Sequence, residues 1–136
     1  MSWLWIVPAI VISFGAYVRL APTDPAAWHH LSDPVKLGTR EGGVTRSIPG
    51  DAKTLVDLDR VILATPRTTV LAGGPEAAIT TYVTKSRLWG FPDYSTVALI
   101  DDHIIIEARL RFGKSDLGVN ARRVDAWLAA LAQSGT

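Results

Sequence analysis

One short stretch of this sequence resembles the end of a phosphate-binding loop. Gly113-Lys114-Ser115 has the residue types whose lysine and hydroxyl contact the phosphates and the metal in such loops. The motif also requires a glycine five positions before Gly113, so that the backbone can curl around the phosphates. That position is Ala108, within a predicted strand. The sequence therefore favours an ordinary loop between a strand and a helix over a nucleotide site.

Serine, histidine and aspartate occur in a combination from which a hydrolase triad can be written. The serine would be Ser86 or Ser115, the base His103, and the third member Asp93 or Asp116. No Gly-x-Ser-x-Gly turn exposes either serine as a nucleophile. Serine and aspartate at 115–116 are also residue types that bond nearby backbone amides in turns. We therefore predict that the protein is not an enzyme.

Metal ligation has equally weak support in the sequence. His29 and His30 are adjacent, so their side chains point to opposite sides of an extended chain. His103 follows Asp101 and Asp102, a pair typical of a solvated hairpin turn. The chain has no cysteine, which excludes thiolate ligands and disulfides. We expect neither a metal site nor a cofactor.

Cationic and aromatic side chains in the second half of the chain are the best candidates for a contact surface. On one face of a sheet they would bind anionic lipid headgroups or an acidic partner subunit. The alternatives are a solvated sheet face with weak ion pairs to Glu107, and aromatic residues packed in the core. The candidate contact residues are Lys85, Arg87, Arg109, Arg111, Trp89, Phe91 and Tyr94.

The N-terminus is continuously uncharged over the first eighteen residues. As a helix this run would be roughly 27 Å long, close to the ~30 Å hydrocarbon core of a bilayer. We therefore predict a single transmembrane helix over residues 1–21. Residues suited to the membrane interface flank the run, namely Trp3, Trp5, Tyr17 and Arg19. Small residues suited to close helix packing lie within it, namely Ser13, Gly15 and Ala16.

A cleaved signal peptide is the competing interpretation of this run. It requires basic residues before the apolar stretch and small residues at the cleavage site. No lysine or arginine precedes Arg19, and cleavage after Ala21 would place Pro22 directly after the cut. An uncleaved anchor is the better interpretation. The positive-inside rule, which counts only Arg19 and Lys36 here, favours a cytoplasmic domain.

The rest of the chain divides into a tether and one small domain. Residues 22–50 contain four prolines and several glycines, which indicates an extended tether with a short strand near 44–48. Residues 51–136 suffice for one domain with its own core. The net charge is +1, so composition gives no argument for nucleic acid as a partner.

Hydrophobic spacing in 51–136 predicts two helices around a run of strands. The first helix follows Asp51 as N-cap, and the second follows Asn120 as N-cap with Trp127 on its apolar stripe. Strands are expected at 68–71, 78–88, 95–100 and 104–112, from their Thr, Val and Ile content. We predict an α+β two-layer fold, an antiparallel sheet with both helices on one face.

The loop before the last helix is expected to be structural. Ser115 and Asp116 should bond to backbone amides, and Gly118 should adopt a positive φ where the chain reverses. We expect Leu117 and Val119 to point into the core.

Ser86-Arg87 together with residues 114–120, KSDLGVN, form a pattern that resembles the DUF1499 family, small bacterial and plastid domains of uncharacterised function. The junction LAPTDP at residues 20–25, with Trp28, is similar to that of alphaproteobacterial members. The resemblance covers about residues 20–132. It implies an exported N-terminus, and hence a periplasmic domain, but it implies no activity.

Together these features predict a non-enzymatic, single-pass accessory subunit of a bacterial inner-membrane complex. Its domain would lie in the periplasm and dock on partner subunits, with membrane lipids as further partners. The alternative is a membrane-anchored module that binds a lipid or another apolar small molecule between sheet and helices. A core packed to native density would leave no room for such a ligand.

Overall fold

A six-stranded antiparallel sheet organises the protein, whose computed structural model describes residues 2–20, 22–87, 90–112 and 115–134. The strand order is β1-β2-β6-β5-β4-β3. The strands are β1 (Gly38–Arg40), β2 (Gly43–Pro49), β3 (Thr68–Gly74), β4 (Ile79–Lys85), β5 (Pro92–Ile100) and β6 (His103–Leu110). The helices are α1 (Ile6–Leu20), α2 (Pro25–Trp28), α3 (Ala52–Leu63) and α4 (Val119–Ser134). The predicted α+β class with an antiparallel sheet is confirmed.

Strand β6 lies at the centre of the sheet, between β2 and β5. It follows β5 through Asp101-Asp102, whose φ angles of 48° and 62° suit the two-residue turn that matches strand twist. Ile104, Ile106 and Ala108 of β6 face α3 and α4, whereas Glu107 and Arg109 face the opposite side. The segment described above as a tether contributes β1 and β2, so it is part of the sheet.

Helices α3 and α4 cover one face of the sheet. Asp51 caps α3 in a reciprocal capping box with Thr54. Trp127 of α4 donates its Nε1–H to Thr65 Oγ1 at 2.8 Å, which ties α4 to the end of α3. The buried apolar cluster between the layers comprises Val44, Leu55, Leu58, Ile62, Tyr82, Val97, Ile104, Ile106, Ala108, Val124 and Trp127.

Helix α1 overturns the prediction for the N-terminus. It has 15 residues and follows a 3-10 turn at Ser2–Trp5, so its regular part is only about 22 Å long. In the part of the chain that the structure describes, no helix is both long enough and apolar enough to cross a membrane. The predicted transmembrane helix over residues 1–21 is therefore wrong. The apolar run does not form one continuous α-helix, because its first turn winds as a 3-10 helix.

The loop before α4 is held by Asp116, as expected, but the residue that caps the helix differs from the prediction. Asp116 accepts hydrogen bonds from the backbone amides of Gly118 (2.8 Å) and Asn120 (2.9 Å), and Ser115 Oγ accepts one from Leu117 N (3.3 Å). Gly118 has the predicted positive φ, 80°.

The expected roles of three other residues in this loop are wrong. Leu117 and Val119 are 84% and 39% exposed, and Asn120 lies inside the helix with its side chain buried. The reason is that the chain reverses over two left-handed residues, Leu117 and Gly118, and α4 already begins at Val119. Asp116 takes the capping function that the sequence assigned to Asn120.

Candidate functional site

The sheet face opposite α3 and α4 is covered by residues 22–32, which we call the covering segment. Its central contact is the carbonyl of Trp28, which accepts from Thr96 Oγ1 at 3.1 Å and from Arg109 Nη2 at 2.6 Å. His29 Nδ1 lies 2.9 Å from Thr81 Oγ1. The polar face of the central strands is therefore not a solvated sheet face, because the covering segment packs on it.

Glu107 is the centre of this packing and is only 1% exposed. One carboxylate oxygen accepts from the backbone N (3.1 Å) and Oγ (2.9 Å) of Ser32 and from Arg109 Nη1. The other accepts from Thr45 Oγ1 at 3.3 Å and lies 3.8 Å from Arg40 Nη2. Burial lowers the pKa of Arg109, and the adjacent Glu107 carboxylate opposes that shift. The buried charge is thus paired and fully hydrogen-bonded, as burial of a carboxylate requires.

Arg111 and Tyr94 hold the start of the covering segment. Arg111 donates to Thr23 Oγ1 at 2.8 Å, to the Pro22 carbonyl at 2.9 Å and to Tyr94 OH at 3.2 Å. The Tyr94 ring is 1% exposed and stacks on Trp28 with 4.3 Å between ring centroids. The Arg109 guanidinium lies 5.2 Å from the centroid of the same Trp28 ring. These contacts fix the chain within a few residues of the end of α1.

The second half of α1 rests on the domain through aromatic contacts. Phe14 meets Phe91 edge-on at 6.1 Å, and Tyr17 meets Phe112 at 6.1 Å. Val18 is 3% exposed, so this turn of the helix is the part that is buried. Edge-to-face pairs of this kind contribute about 0.5–1.5 kcal/mol each beyond their buried area. Helix α1 is thereby held at its C-terminal end.

Helix α1 and the turn before it also present apolar side chains to the outside, and Phe14 and Tyr17 remain 49% and 58% exposed despite their contacts with the domain. Trp5, Ile12 and Val7 are 75%, 71% and 66% exposed. We call this the apolar helix surface. Its exposed large apolar residues are Trp3, Leu4, Trp5, Ile6, Val7, Ile10, Val11, Ile12, Phe14, Tyr17 and Leu20.

A third feature, which we call the cationic groove, lies at the ends of β3 and β4. It has a volume of about 430 Å³. Its lining residues are Arg67, Thr69, Lys85, Ser86, Arg87 and Gly90. Among the residues that the structure describes, no carboxylate is within ion-pair distance of these three cations. The groove therefore carries concentrated positive charge.

Comparison with known families matches residues 21–131 to "Protein of unknown function (DUF1499)". The chain belongs to the DUF1499 family. The match covers the covering segment, the sheet, α3 and most of α4, and begins just after α1. No protein with curated annotation matches the chain. The DUF1499 region thus contains the cationic groove and the buried Glu107 with its partners Ser32, Arg40, Thr45 and Arg109, which we call the Glu107 cluster. The apolar helix surface precedes this region.

The structure divides the predicted contact residues of this DUF1499 protein between separate places. Lys85 and Arg87 line the cationic groove. Arg109, Arg111 and Tyr94 hold the covering segment, and Phe91 packs against Phe14. Trp89 lies outside the described residues. The six described residues therefore do not form one surface, although Lys85, Tyr94 and Arg111 together line a cavity of about 180 Å³.

The predicted N-terminal sites are also separated in the structure. Gly15 is buried, whereas Ser13 and Ala16 are exposed beside each other on α1. Trp3, Trp5 and Tyr17 are exposed, and the Arg19 side chain lies outside the described part of the structure.

The residues from which a triad was written are not brought together. His103 begins β6, while Ser115 and Asp116 follow its other end, about 23 Å away along a strand of eight residues. Within the described ranges, no three His, Asp or Glu side chains are grouped so that they could hold a metal ion.

Sequence reasoning missed the Glu107 cluster and the partners Trp28, Ser32 and Thr45. One signal was available: Trp28 is a large aromatic residue in a segment otherwise rich in proline and polar residues. Such a residue in a supposed tether indicates that the segment packs against something.

Proposed function

We propose that this DUF1499 protein is a non-enzymatic accessory subunit of a bacterial inner-membrane protein complex, in which α1 binds a partner subunit. The observation that supports this proposal is the apolar helix surface. Eleven large apolar side chains between residues 3 and 20 are exposed. Contiguous apolar patches beyond a few hundred Å² are rare on monomeric proteins and mark interaction sites.

The distribution of these side chains around α1 supports a partner that surrounds the helix. Exposed apolar residues occur at consecutive positions Val11 and Ile12 as well as at Ile6 and Ile10, so they are not confined to one stripe. A helix that is apolar on all sides is stable only when it is enclosed. Exposed Ser13 and Ala16 leave room for a partner helix to approach the backbone closely.

The way the domain holds α1 also supports a docking function. Phe91 and Phe112 fix the C-terminal half of the helix, and Arg111 fixes the chain just after it. The apolar helix surface is therefore presented in one orientation before any partner binds. Preorganisation of this kind reduces the conformational entropy lost on association.

The location that we propose for the domain is the periplasmic side of the inner membrane. Its support is the resemblance to DUF1499 over about residues 20–132, which implies an exported N-terminus. Protease added to intact spheroplasts tests it: a periplasmic domain is digested, whereas a cytoplasmic domain is protected until the cells are lysed.

A pair of matched variants tests the docking proposal. Ile12→Glu places a charge on the apolar helix surface, and Leu117→Glu places one on an equally exposed apolar residue elsewhere (71% and 84% exposed). Neither change removes a buried contact, so both variants should fold. In the complex, Ile12→Glu would replace an isoleucine buried against the partner by a charge, which should weaken partner binding on the order of 100-fold or more.

The measurement is the size and subunit composition of the tagged protein after native membranes are solubilised in mild detergent. Wild type and Leu117→Glu should elute with partner subunits in constant stoichiometry, and Ile12→Glu should elute alone. A wild-type protein that elutes as a monomer, or an Ile12→Glu variant that keeps its partners, contradicts the proposal.

One observation favours the alternative, a module that binds a small apolar molecule. A cavity of about 180 Å³ lies between α1, the covering segment and the sheet, lined partly by Val18, Leu71 and Val83. It is not between the sheet and α3 and α4, where the buried cluster fills the space. Lipid extraction of the purified protein tests this: a stoichiometric lipid lost on Val83→Trp would support it, and no lipid would contradict it.

A further inference from the structure

We propose that the cationic groove is a binding site for a phosphate-bearing anion. Two guanidinium groups, Arg67 and Arg87, and one ammonium group, Lys85, line a single cavity of about 430 Å³. Within the described residues none of the three has a carboxylate partner. Like charges gathered at one place repel each other, and a bound anion would relieve that repulsion.

The backbone holds Arg67 in position for such a ligand. Arg67 has a left-handed φ of 58°, which is costly for a residue with a side chain. Its Nε donates to the Lys85 carbonyl at 3.0 Å, and Lys85 N donates to the Arg67 carbonyl at 3.0 Å. The Nε bond orients the guanidinium, and its two terminal nitrogens, which bond to no described residue, can bind an anion through two parallel hydrogen bonds.

Two hydroxyl groups supply further donors to the groove. Ser86 Oγ accepts from Phe91 N at 2.8 Å, so its own O–H proton remains available. Thr69 is exposed on the same lining. Tetrahedral phosphate oxygens accept several hydrogen bonds from guanidinium, ammonium and hydroxyl groups at once. The volume also accommodates an organic substituent on the phosphate.

A second groove on the protein contains cations that are paired with a carboxylate. It has a volume of about 340 Å³ and contains Lys53 and Arg60. Both of these cations pair with Asp57, at 2.9 and 3.5 Å. The cationic groove has cations of the same types without such a carboxylate, and the second groove therefore provides a matched control.

The experiment measures the melting temperature of the full-length protein in a non-ionic detergent, titrated with glycerol 3-phosphate at constant ionic strength. A ligand that binds the native state raises this temperature in proportion to its occupancy. Loss of each charge-assisted contact should weaken binding roughly tenfold, so Lys85→Gln/Arg87→Gln should weaken it about 100-fold. The control Lys53→Gln/Arg60→Gln should bind like wild type. Arg87 has no hydrogen bond or ion pair with any described residue, so Arg87→Gln alone tests the site without removing such a contact there.

Further binding measurements distinguish a lipid headgroup from a soluble phosphate ester, and either of them from an acidic peptide. The groove is assigned to a lipid headgroup if the protein binds phosphatidylglycerol nanodiscs more tightly than phosphatidylcholine nanodiscs and binds glycerol 3-phosphate only weakly. Comparable binding of glycerol 3-phosphate assigns it to a soluble phosphate ester. Three results overturn the proposal: no binding of either form, binding that Lys85→Gln/Arg87→Gln retains, or tighter binding of hexaglutamate. The inference is independent of α1 docking, since Ile12→Glu leaves every groove residue unchanged.

Discussion

Replacing Glu107 by glutamine tests whether the covering segment is an integral part of the fold. The substitution keeps the size of the side chain but removes its charge and turns one acceptor into a donor. The new NH₂ group must face either Ser32 and Arg109 or Thr45 and Arg40, all of which donate to the carboxylate or carry positive charge. At least one donor therefore loses its acceptor in either orientation.

The expected cost follows from how deeply the cluster is buried. Removing one partner of a buried ion pair costs about 3–5 kcal/mol, because the remaining charge is left uncompensated. The side chains of Arg109 and Arg40 keep 18% and 42% of their exposure, so water solvates them in part. We therefore expect Glu107→Gln to lower the free energy of unfolding by about 3 kcal/mol. Glu107→Ala, which adds a cavity, should cost about 1 kcal/mol more.

Urea unfolding followed by circular dichroism and by tryptophan fluorescence measures this cost. Glu41→Gln is the control, because Glu41 is exposed in the β1–β2 turn and should change stability by less than about 0.5 kcal/mol. Amide hydrogen exchange at Ser32 gives a local reading, since its N–H is bonded to Glu107. It should exchange faster in Glu107→Gln by more than the global change in stability explains.

A double-mutant cycle with Arg109→Gln separates pairing from packing. Since each single variant leaves the other group unpaired, the double variant should cost less than the sum of the two, with a coupling energy of about 1–3 kcal/mol. A Glu107→Gln variant within 1 kcal/mol of wild type, or one whose Ser32 amide stays protected, would refute the role that we assign to this carboxylate.

Three further predictions concern stability. Asp116→Ala should cost about 1–2 kcal/mol through the lost cap. Burial pushes the pKa of Asp116 upward, but backbone hydrogen bonds from Asn120 and Gly118 outweigh it, so its net pKa is lowered. A carboxyl group whose pKa is lower in the folded state stabilises the fold at pH values above its unfolded pKa of about 3.9. This contribution is lost as the pH falls through the folded pKa, so the urea midpoints of wild type and Asp116→Ala should converge at that low pH. Gly73→Ala should cost more than about 2 kcal/mol, because φ is 79° and a Cβ would lie 2.2 Å from the Ile79 carbonyl oxygen; Gly74→Ala meets no atom within 4 Å and should have little effect in the same urea titration. Removing the exposed Arg46–Asp125 pair (3.1 Å) should change the unfolding free energy by less than about 1 kcal/mol; a larger loss would mean that the pair contributes to packing.

The elements that local pattern determines could be predicted from the sequence. Strand alternation in β6 and the turn at Asp101-Asp102 depend on residues close in the chain, and so does the Asp51 cap of α3. Gly118 was likewise predictable, since a reversal before a helix requires a residue that tolerates a positive φ.

The covering segment could not be predicted in the same way. Its contacts join residues far apart in the chain, such as Thr23 with Tyr94 and Ser32 with Glu107. A segment with four prolines between residues 22 and 50 has no periodicity from which a buried face can be read. Strand alternation puts Glu107 on the face opposite Ile106 and Ala108, but it does not tell whether that face meets water or protein.

The length of the N-terminal helix was mispredicted for a different reason. Hydropathy identifies a run without charges, but it does not tell how the first turn winds, and the 3-10 turn at Ser2–Trp5 shortens the regular helix. The same apolar composition that suggested a bilayer is what leaves the apolar helix surface exposed.

The buried polar cluster and the apolar helix are linked through the chain. Helix α1 ends at Leu20, and Arg111 binds the carbonyl of Pro22 and the hydroxyl of Thr23 directly afterwards. A change in the orientation of α1 relative to the sheet must therefore break hydrogen bonds of the covering segment or bend the chain within two or three residues. Because Glu107 fixes the other end of that segment at Ser32, the carboxylate stabilises the orientation of α1 as well as the sheet. The polar cluster inside the domain thus contributes to the orientation in which the apolar helix surface is held.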